Sequence, residues 1–170
     1  MSKTVRTFAD VLDFFNRGDF EKISLQLSGL QLDSRLIQPG DIFLAIQGLH
    51  HHGLSFLASA VENGAALVIA DKPLLDSPIP ALVVSDLKNQ IGEFSSWFYG
   101  YPSRSMTMLG ITGTNGKTTI AHLIQYLWNS LGLANGTVGT LGVAFKGKKE
   151  SYEYPGIRTT PEAPELQAVL

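Results

Sequence analysis

The chain has 170 residues, of which 44% are hydrophobic and 16% charged, with a net charge of −2 and no cysteine. This length can bury the core of one or two domains, and the charge supplies no basic field for nucleic acid. The lack of cysteine in the sequence excludes disulfides, thiolate catalysis and zinc–thiolate sites. Residues 1–6 lead into an amphipathic segment, not an apolar signal region, and no apolar run has the length of a membrane span. We therefore expect a cytoplasmic protein that binds neither membrane nor nucleic acid.

Strands and helices alternate in the first hundred residues. Thr7 and Asp10 predict a capping box for a helix that Gly18 ends. Alternating apolar residues over 23–27 and 30–32 predict half-buried strands, and Gln38-Pro39-Gly40-Asp41 predicts a type II turn. The later elements are a strand at 42–46, a helix at 56–61, strands at 66–70 and 81–84, and a helix at 87–98. This order indicates an α/β fold with a parallel or mixed sheet.

A break at 99–103, rich in Tyr, Gly and Pro, ends the last of these helices. We place a domain boundary near Ser105, which gives domains at 1–105 and 106–170.

The second domain opens with the arrangement of a phosphate-binding loop. An apolar run at 106–109 predicts a strand, Gly110 to Thr119 is rich in Gly and Thr, and a helix follows. The apolar stripe of that helix is Ile120, Leu123, Ile124, Leu127, Trp128 and Leu131. Glycines let backbone N–H groups converge on an anion, and the helix start adds unpaired donors. The predicted nucleotide-binding residues are Gly113, Thr114, Asn115, Gly116, Lys117, Thr118 and Thr119.

Within this loop we assign catalysis to Lys117 and a Mg²⁺ contact to the Thr118 hydroxyl. A cation in the first turn of a helix opposes the macrodipole, and a bound polyphosphate reverses that effect. The strict phosphate-loop pattern places a glycine where this chain has Ile111, so the loop is a variant.

After this helix, 137–143 predicts a second strand, and the charged turn at 146–150 predicts a solvated loop. Thr160 predicts a helix N-cap with Pro161 at the first helical position. Two strands and one full helix are too few for a doubly wound nucleotide domain. We expect the chain to be the N-terminal piece of a longer enzyme.

The segment Thr112–Thr119 resembles the ATP-binding loop of the Mur ligases, the amide-forming enzymes of peptidoglycan precursor synthesis. Folylpolyglutamate synthases share a related loop. Segments 32–35 and 38–45, with Gly48 and Gly53, are similar to the substrate-binding N-terminal domain of the Mur ligases. The segments 139–142 and 159–162, with Thr114-Asn115, favour the ligases that add the third residue of the peptide.

The resemblance implies a small N-terminal mixed α/β substrate domain, followed by the start of a phosphate-loop, Rossmann-like ATP-binding domain. The implied enzyme is a monomer that uses ATP and Mg²⁺. Its substrates are UDP-N-acetylmuramoyl-L-alanyl-D-glutamate and an amino acid, meso-diaminopimelate or L-lysine. A second magnesium site with a carbamylated lysine, and the pocket that selects the amino acid, would lie beyond Leu170. We therefore expect the chain alone to be inactive.

The same resemblance assigns residues to the UDP-linked substrate. The matching positions on the uridine side are Leu32, Ser34, Leu49, His50 and His51, and those on the muramoyl-peptide side are Thr159 and Thr160. Arg158 can pair with a carboxylate or phosphate. His52 stands where the family commonly has Asp. Without the resemblance, segment 33–35 also fits a polar strand end, and Thr159-Thr160 also fits a simple helix cap.

Three other functions stay open from the sequence. The D-alanyl-D-alanine-adding Mur ligases share the first domain, although the loop and the 159–161 segment weigh against them. A phosphate-loop kinase or hydrolase accounts for the loop but not for residues 32–53. A non-catalytic nucleotide-binding module is the third. The adjacent residues His50, His51 and His52 do not favour a metal site, because neighbouring side chains point in different directions.

Overall fold

The computed structural model describes residues 5–18, 23–146, 151–154 and 161–170. The chain divides into two units, Met1–Pro102 with Ala163–Ala168 and Ser103–Glu162 with Val169–Leu170. The predicted domain limits of 1–105 and 106–170 stay a prediction. Among the helices in the described ranges, none is long and apolar enough to cross a membrane.

A parallel sheet of four strands organises the first unit. The elements in chain order are β1 (Arg6–Thr7), α1 (Phe8–Phe14), β2 (Gln26–Leu27), β3 (Leu30–Gln31), β4 (Ile42–Ala45), α2 (Leu57–Glu62), β5 (Leu67–Ala70), β6 (Ala81–Val83) and α3 (Leu87–Phe98). Short 3₁₀ helices lie at Ser34–Leu36, Gly53–Phe56 and Pro102–Ser105. The sheet has the order β3-β4-β5-β6 with every pair parallel, and β1 pairs antiparallel with β2. The predicted α/β class is confirmed.

Helices cover both faces of this sheet, so the residues of β4 and β5 are all buried. Successive residues of a strand point to opposite faces. Ile42 and Leu44 belong to a core cluster that includes residues of α1 and α3, whereas Phe43 and Ala45 join a smaller cluster with Ala60 of α2. The result is three layers, with the carboxyl ends of the parallel strands at one edge.

Two local predictions for the first unit are confirmed. The capping box of α1 is present, with Thr7 N–H donating to Asp10 Oδ2 at 2.7 Å and Asp10 N–H donating to Thr7 Oγ1 at 3.3 Å. The predicted turn closes with Asp41 N–H donating to the Gln38 carbonyl at 3.0 Å, and Gly40 has a φ of 91°. Both depend on contacts within four residues, which is why the sequence reveals them.

Two boundaries in the first unit were predicted wrongly. Helix α1 ends at Phe14, before Gly18. The predicted strand at 23–27 shrinks to Gln26–Leu27, because its partner β1 offers only two residues for pairing.

The second unit contains α4 (Lys117–Ser130) and a sheet of β7 (Asn135–Gly139), β8 (Gly142–Lys146) and β9 (Ser151–Tyr154). The three strands are antiparallel in the order β7-β8-β9. A further helix, α5 (Ala163–Val169), comes next in the chain, and its residues Ala163–Ala168 belong to the first unit. The predicted helix of the phosphate loop is confirmed, but none of its residues, all of which are described, is buried. Along its apolar stripe Ile120, Leu123, Leu127 and Leu131 are 46–72% exposed.

Three predictions for residues 106–170 need correction. Residues 137–143 form two strands joined by a turn at Thr140-Leu141, because the glycines on both sides are weak strand formers that permit reversal. The run at 106–109 is not a strand: Met106, Met108 and Leu109 are exposed, and no strand in the described ranges pairs with them. Helix α5 begins at Ala163, two residues after Pro161.

Candidate functional site

The phosphate loop lies in the second unit and leads directly into α4. Gly116 is the N-cap of α4 with a φ of 79°, and Gly113 has a φ of 151°. Residues with side chains avoid this left-handed region, so the shape of the loop requires glycine at these two positions. No side chain caps α4. The first-turn N–H groups therefore keep their donors available for an anion.

Lys117, the first residue of α4, folds back over the loop. Its Nζ donates to the Gly113 carbonyl at 2.6 Å, and Ile120 N–H donates to the Gly116 carbonyl at 2.9 Å. Residues 112–116, Thr118 and Thr119 are exposed. The segment 112–119 thus presents a cation, four threonine hydroxyls and backbone donors, which is the donor set that binds a phosphate chain.

The predicted substrate residue Ser34 lies in the first unit, in the 3₁₀ helix after β3. Asp33 caps this helix by accepting from Arg35 N–H at 3.0 Å. Ser34 is 6% exposed, and its carbonyl accepts from Asn63 Nδ2 at 2.9 Å. Leu32 is half-buried and packs against the core. The sequence did not reveal this contact, because Asn63-Gly64 after α2 predicts only the end of a helix.

Arg35 forms a two-pronged ion pair with Asp33, through Nε at 2.9 Å and Nη2 at 2.6 Å. The hydrogen bond and the charge of this carboxylate raise the pKa of the guanidinium. The Arg35 side chain is 82% exposed, so one edge of the cation stays open to solvent beside Ser34.

The other predicted substrate residues of the first unit lie on the loop after β4. Gln47 and His52 form an antiparallel bridge, and Gly48 N–H donates to the His51 carbonyl at 3.0 Å. Leu49, at 97% exposure, and the exposed His50 and His51 form the tip. Such a tip can give side chains to a ligand without disturbing the core.

His52, at the base of this loop, has contacts that sequence reasoning missed. Its Nδ1 accepts from Leu54 N–H at 3.1 Å and so caps the 3₁₀ helix that begins at Gly53. Its Nε2 lies 2.6 Å from Asp71 Oδ1. Asp71 is nineteen residues away, so no local spacing could reveal the pair.

The remaining predicted substrate residues, Arg158, Thr159 and Thr160, lie outside the described residues. The structure thus places Leu32, Ser34 and the 49–51 loop tip in the first unit. It places the phosphate loop in the second unit.

Comparison with known proteins agrees with this division. Residues 26–92 match the family model described as "Mur ligase family, catalytic domain". Residues 111–170 match the one described as "Mur ligase middle domain". The two matched segments contain the Ser34 region with the 47–53 loop, and the phosphate loop, respectively.

Curated relatives agree with the family models. The UDP-N-acetylmuramoyl-L-alanyl-D-glutamate–2,6-diaminopimelate ligase of Xanthomonas campestris is 44% identical over 126 residues, 72% of this chain and 26% of that protein. The UDP-N-acetylmuramyl-tripeptide synthetase of Roseiflexus is 37% identical over 150 residues, 87% of this chain and 29% of that protein. The chain therefore spans less than a third of the length of either relative.

A solved structure gives the same result. A UDP-N-acetylmuramoyl-L-alanyl-D-glutamate–2,6-diaminopimelate ligase superimposes with a TM-score of 0.63 and 25% identity. The match covers 98% of this chain and 33% of the solved chain. Because the two family models, the curated relatives and this fold agree, the chain belongs to the Mur ligase family.

Proposed function

We propose that the chain is the N-terminal part of an ATP-dependent amide ligase of peptidoglycan precursor synthesis. The enzyme adds the third residue, meso-diaminopimelate or L-lysine, to UDP-N-acetylmuramoyl-L-alanyl-D-glutamate. The names of the Xanthomonas and Roseiflexus relatives support this assignment over the D-alanyl-D-alanine-adding ligases. The first name favours diaminopimelate as the added residue. We place the enzyme in the cytoplasm as a monomer, without nucleic acid or membrane partners.

The observation that carries the proposal is the loop before α4. Its helix start has no side-chain cap, its glycines have positive φ, and Lys117 lies over the Gly113 carbonyl. This loop belongs to the segment that matches the Mur ligase middle domain. A phosphate chain bound here would accept hydrogen bonds from the uncapped N–H groups of α4. Its negative charge would also offset the repulsion between the Lys117 cation and the positive end of the helix macrodipole.

The reaction has two steps. In the first, the γ-phosphoryl group of ATP passes to the side-chain carboxylate of D-glutamate, and ADP leaves. In the second, the amine of the incoming amino acid attacks the acyl carbon and loses a proton, and inorganic phosphate leaves. The contribution of this chain to the first step is positioning and charge neutralisation, by Lys117 and by the loop residues Gly113 to Thr119.

The residues present fit a magnesium ion that also binds phosphate. Within the described residues, no group of three His, Cys, Asp or Glu could hold a metal. The exposed Thr118 hydroxyl in the first turn of α4 supplies one oxygen. Mg²⁺ commonly keeps waters and takes its other oxygens from substrate phosphates, so one protein oxygen is enough here. Bound there, the ion would neutralise phosphate charge.

The substrate side of the proposal uses the first unit. Leu32, Ser34 and the exposed tip residues Leu49, His50 and His51 would receive the uridine-diphosphate end of the substrate. The exposed edge of Arg35 is a suitable partner for a phosphate. Arg158, Thr159 and Thr160 would receive the muramoyl-peptide end.

Two titrations of the 170-residue chain test the proposal, one with UDP-N-acetylmuramoyl-L-alanyl-D-glutamate and one with Mg-ATP, each followed by NMR. We expect the UDP-linked substrate to shift signals of residues 32–52, and ATP to shift those of residues 113–120. A kinase, a hydrolase or a nucleotide-binding module requires only the second response. Binding of ATP with no response to the UDP-linked substrate would therefore contradict the ligase assignment.

A further inference from the structure

We propose that His52 and Asp71 are positioning residues that hold the loop 48–51 in the shape that receives the nucleotide end of the substrate. This inference rests on the proposed function. It adds two residues that touch no substrate in the assignment above and act through the loop 48–51.

The first step is the state of the His52 ring. Because Nδ1 accepts from Leu54 N–H at 3.1 Å, the ring proton lies on Nε2. Nε2 then donates to Asp71 Oδ1 at 2.6 Å. The two side chains are 13% and 19% exposed, so water competes little for this contact. A hydrogen bond to a carboxylate in such surroundings is stronger than one between neutral groups.

The second step is that the loop is held at both ends. His52, which follows the loop 48–51, bonds to Asp71. Gln47, which precedes the loop, accepts from Lys72 Nζ at the longer distance of 3.5 Å. Two consecutive residues that follow β5 therefore contact the two ends of the loop that follows β4. The antiparallel bridge between Gln47 and His52 joins the two residues that flank the loop.

The third step is the close packing at Gly53. A Cβ at this position would lie 2.7 Å from Ala45 Cα in β4, so only glycine lets the chain pass. Gly53 N–H also donates to the Ile46 carbonyl at 2.8 Å. The base of the loop is therefore fixed against the sheet, whereas its tip residues are exposed.

These contacts lie where ligands bind in parallel sheets. Residues 47–53 and Asp71 both follow the carboxyl ends of neighbouring strands, β4 and β5. Ligands of open α/β sheets collect at this edge. A loop that is already ordered loses less conformational freedom when it binds, so the fixed base should strengthen substrate binding.

The test measures binding of UDP-N-acetylmuramoyl-L-alanyl-D-glutamate to the 170-residue chain by calorimetry, with Asp76→Asn as the matched control. Asp76 is exposed on the connection between β5 and β6, five residues from Asp71. We expect Asp71→Ala to weaken binding about tenfold, which corresponds to about 1.4 kcal/mol. Asp71→Asn keeps an acceptor oxygen and should restore most of the affinity. His52→Asn keeps an acceptor for Leu54 N–H, but its short side chain loses the Asp71 contact, so it should bind as weakly as Asp71→Ala.

Two readouts separate positioning from simple stability. ATP binding should be unchanged in all variants, and the NMR signal of the His52 Nε2 proton should disappear in Asp71→Ala but persist in Asp71→Asn. Binding by a folded Asp71→Ala within twofold of the parent chain would overturn the inference. So would an equal loss of both ligands. If Asp71→Ala does not fold, equal affinities of His52→Asn and Asp71→Asn would overturn it. Failure of the parent chain itself to bind the UDP-linked substrate would instead refute the proposed function.

Discussion

Replacement of Lys117 by Met should separate the stability of the phosphate loop from its affinity for ATP. The substitution removes the cation from the first turn of α4 and keeps a chain of similar length. Lys117 opposes the helix macrodipole, and removal of such a charge stabilises a helix by about 0.3–1 kcal/mol. Its hydrogen bond to the Gly113 carbonyl is exposed and contributes a comparable amount in the opposite direction. The free energy of unfolding should therefore change by less than about 1 kcal/mol.

The effect on ATP is much larger. Two unit charges about 4 Å apart interact by about 4 kcal/mol at an effective dielectric constant of about 20. Lys117 is only partly buried, so solvent screening leaves about half of this amount. Lys117→Met should then weaken Mg-ATP binding by about thirtyfold. In a longer protein with ligase activity, turnover should fall further, because the transition state depends more on this cation.

The assay is an NMR titration of the 170-residue chain with Mg-ATP, alongside thermal unfolding of both proteins. Lys88→Met is a suitable control, because Lys88 is an exposed residue of the first turn of α3, far from the phosphate loop in sequence. A folded Lys117→Met chain that binds ATP as tightly as the parent would refute the phosphate-loop assignment. A large loss of stability would refute the charge argument instead.

Four further outcomes are expected. Ser34→Ala should weaken binding of the UDP-linked substrate several-fold and leave ATP binding unchanged in the same titrations, since a neutral hydrogen bond contributes about 0.5–1.5 kcal/mol; an equal effect on both ligands would indicate a folding defect. Burial first, and then the Asp41 charge, raise the pKa of Tyr99 above its usual 10.0, although the hydrogen bond from Leu30 N–H lowers it. Because the folded state holds this proton more tightly, stability should be complete below about pH 10 and should fall as the pH rises through the folded-state pKa; denaturant unfolding of Tyr99→Phe should lack this component. Ser95 Oγ is buried with no hydrogen bond among the described residues, so Ser95→Ala should raise the free energy of unfolding by about 1 kcal/mol, and a decrease would show a missed partner. The 170-residue chain should form no amide bond, and hydrogen exchange should be slow in β4 and β5 but fast after Gly132; ligase activity of the purified chain would contradict this expectation.

Helix α4, which precedes Gly132, also has weak tertiary support because its apolar stripe is exposed. Helices in proteins draw most of their stability from burying one face, and the stripe of α4 is not buried among the described residues.

The sequence by itself determined the features that depend on neighbouring residues. The capping box of Thr7 and Asp10, the turn at Gly40 and the helix after Gly116 all follow from contacts within a few residues. The alternation of strands and helices predicted a parallel or mixed sheet, because parallel strands need a crossover between them. The structure decided that every pair in the four-stranded sheet is parallel. The spacing of Gly, Thr and Lys in the loop indicated the superfamily, and segments 32–35 and 38–45 were needed beside it to indicate the family.

Only the tertiary structure decided the features that depend on a distant partner. Strand pairing is one of them. The segment 106–109 is apolar, but within the part of the chain that the structure describes no strand pairs with it. Residues 137–143 instead belong to a hairpin of two strands. The contacts that support the candidate substrate residues are another. Asn63 reaches the Ser34 carbonyl across 29 residues, and Asp71 reaches His52 across 19. A side-chain hydrogen bond between separate elements leaves no periodic trace in the sequence, because its geometry arises only when the sheet brings those elements together.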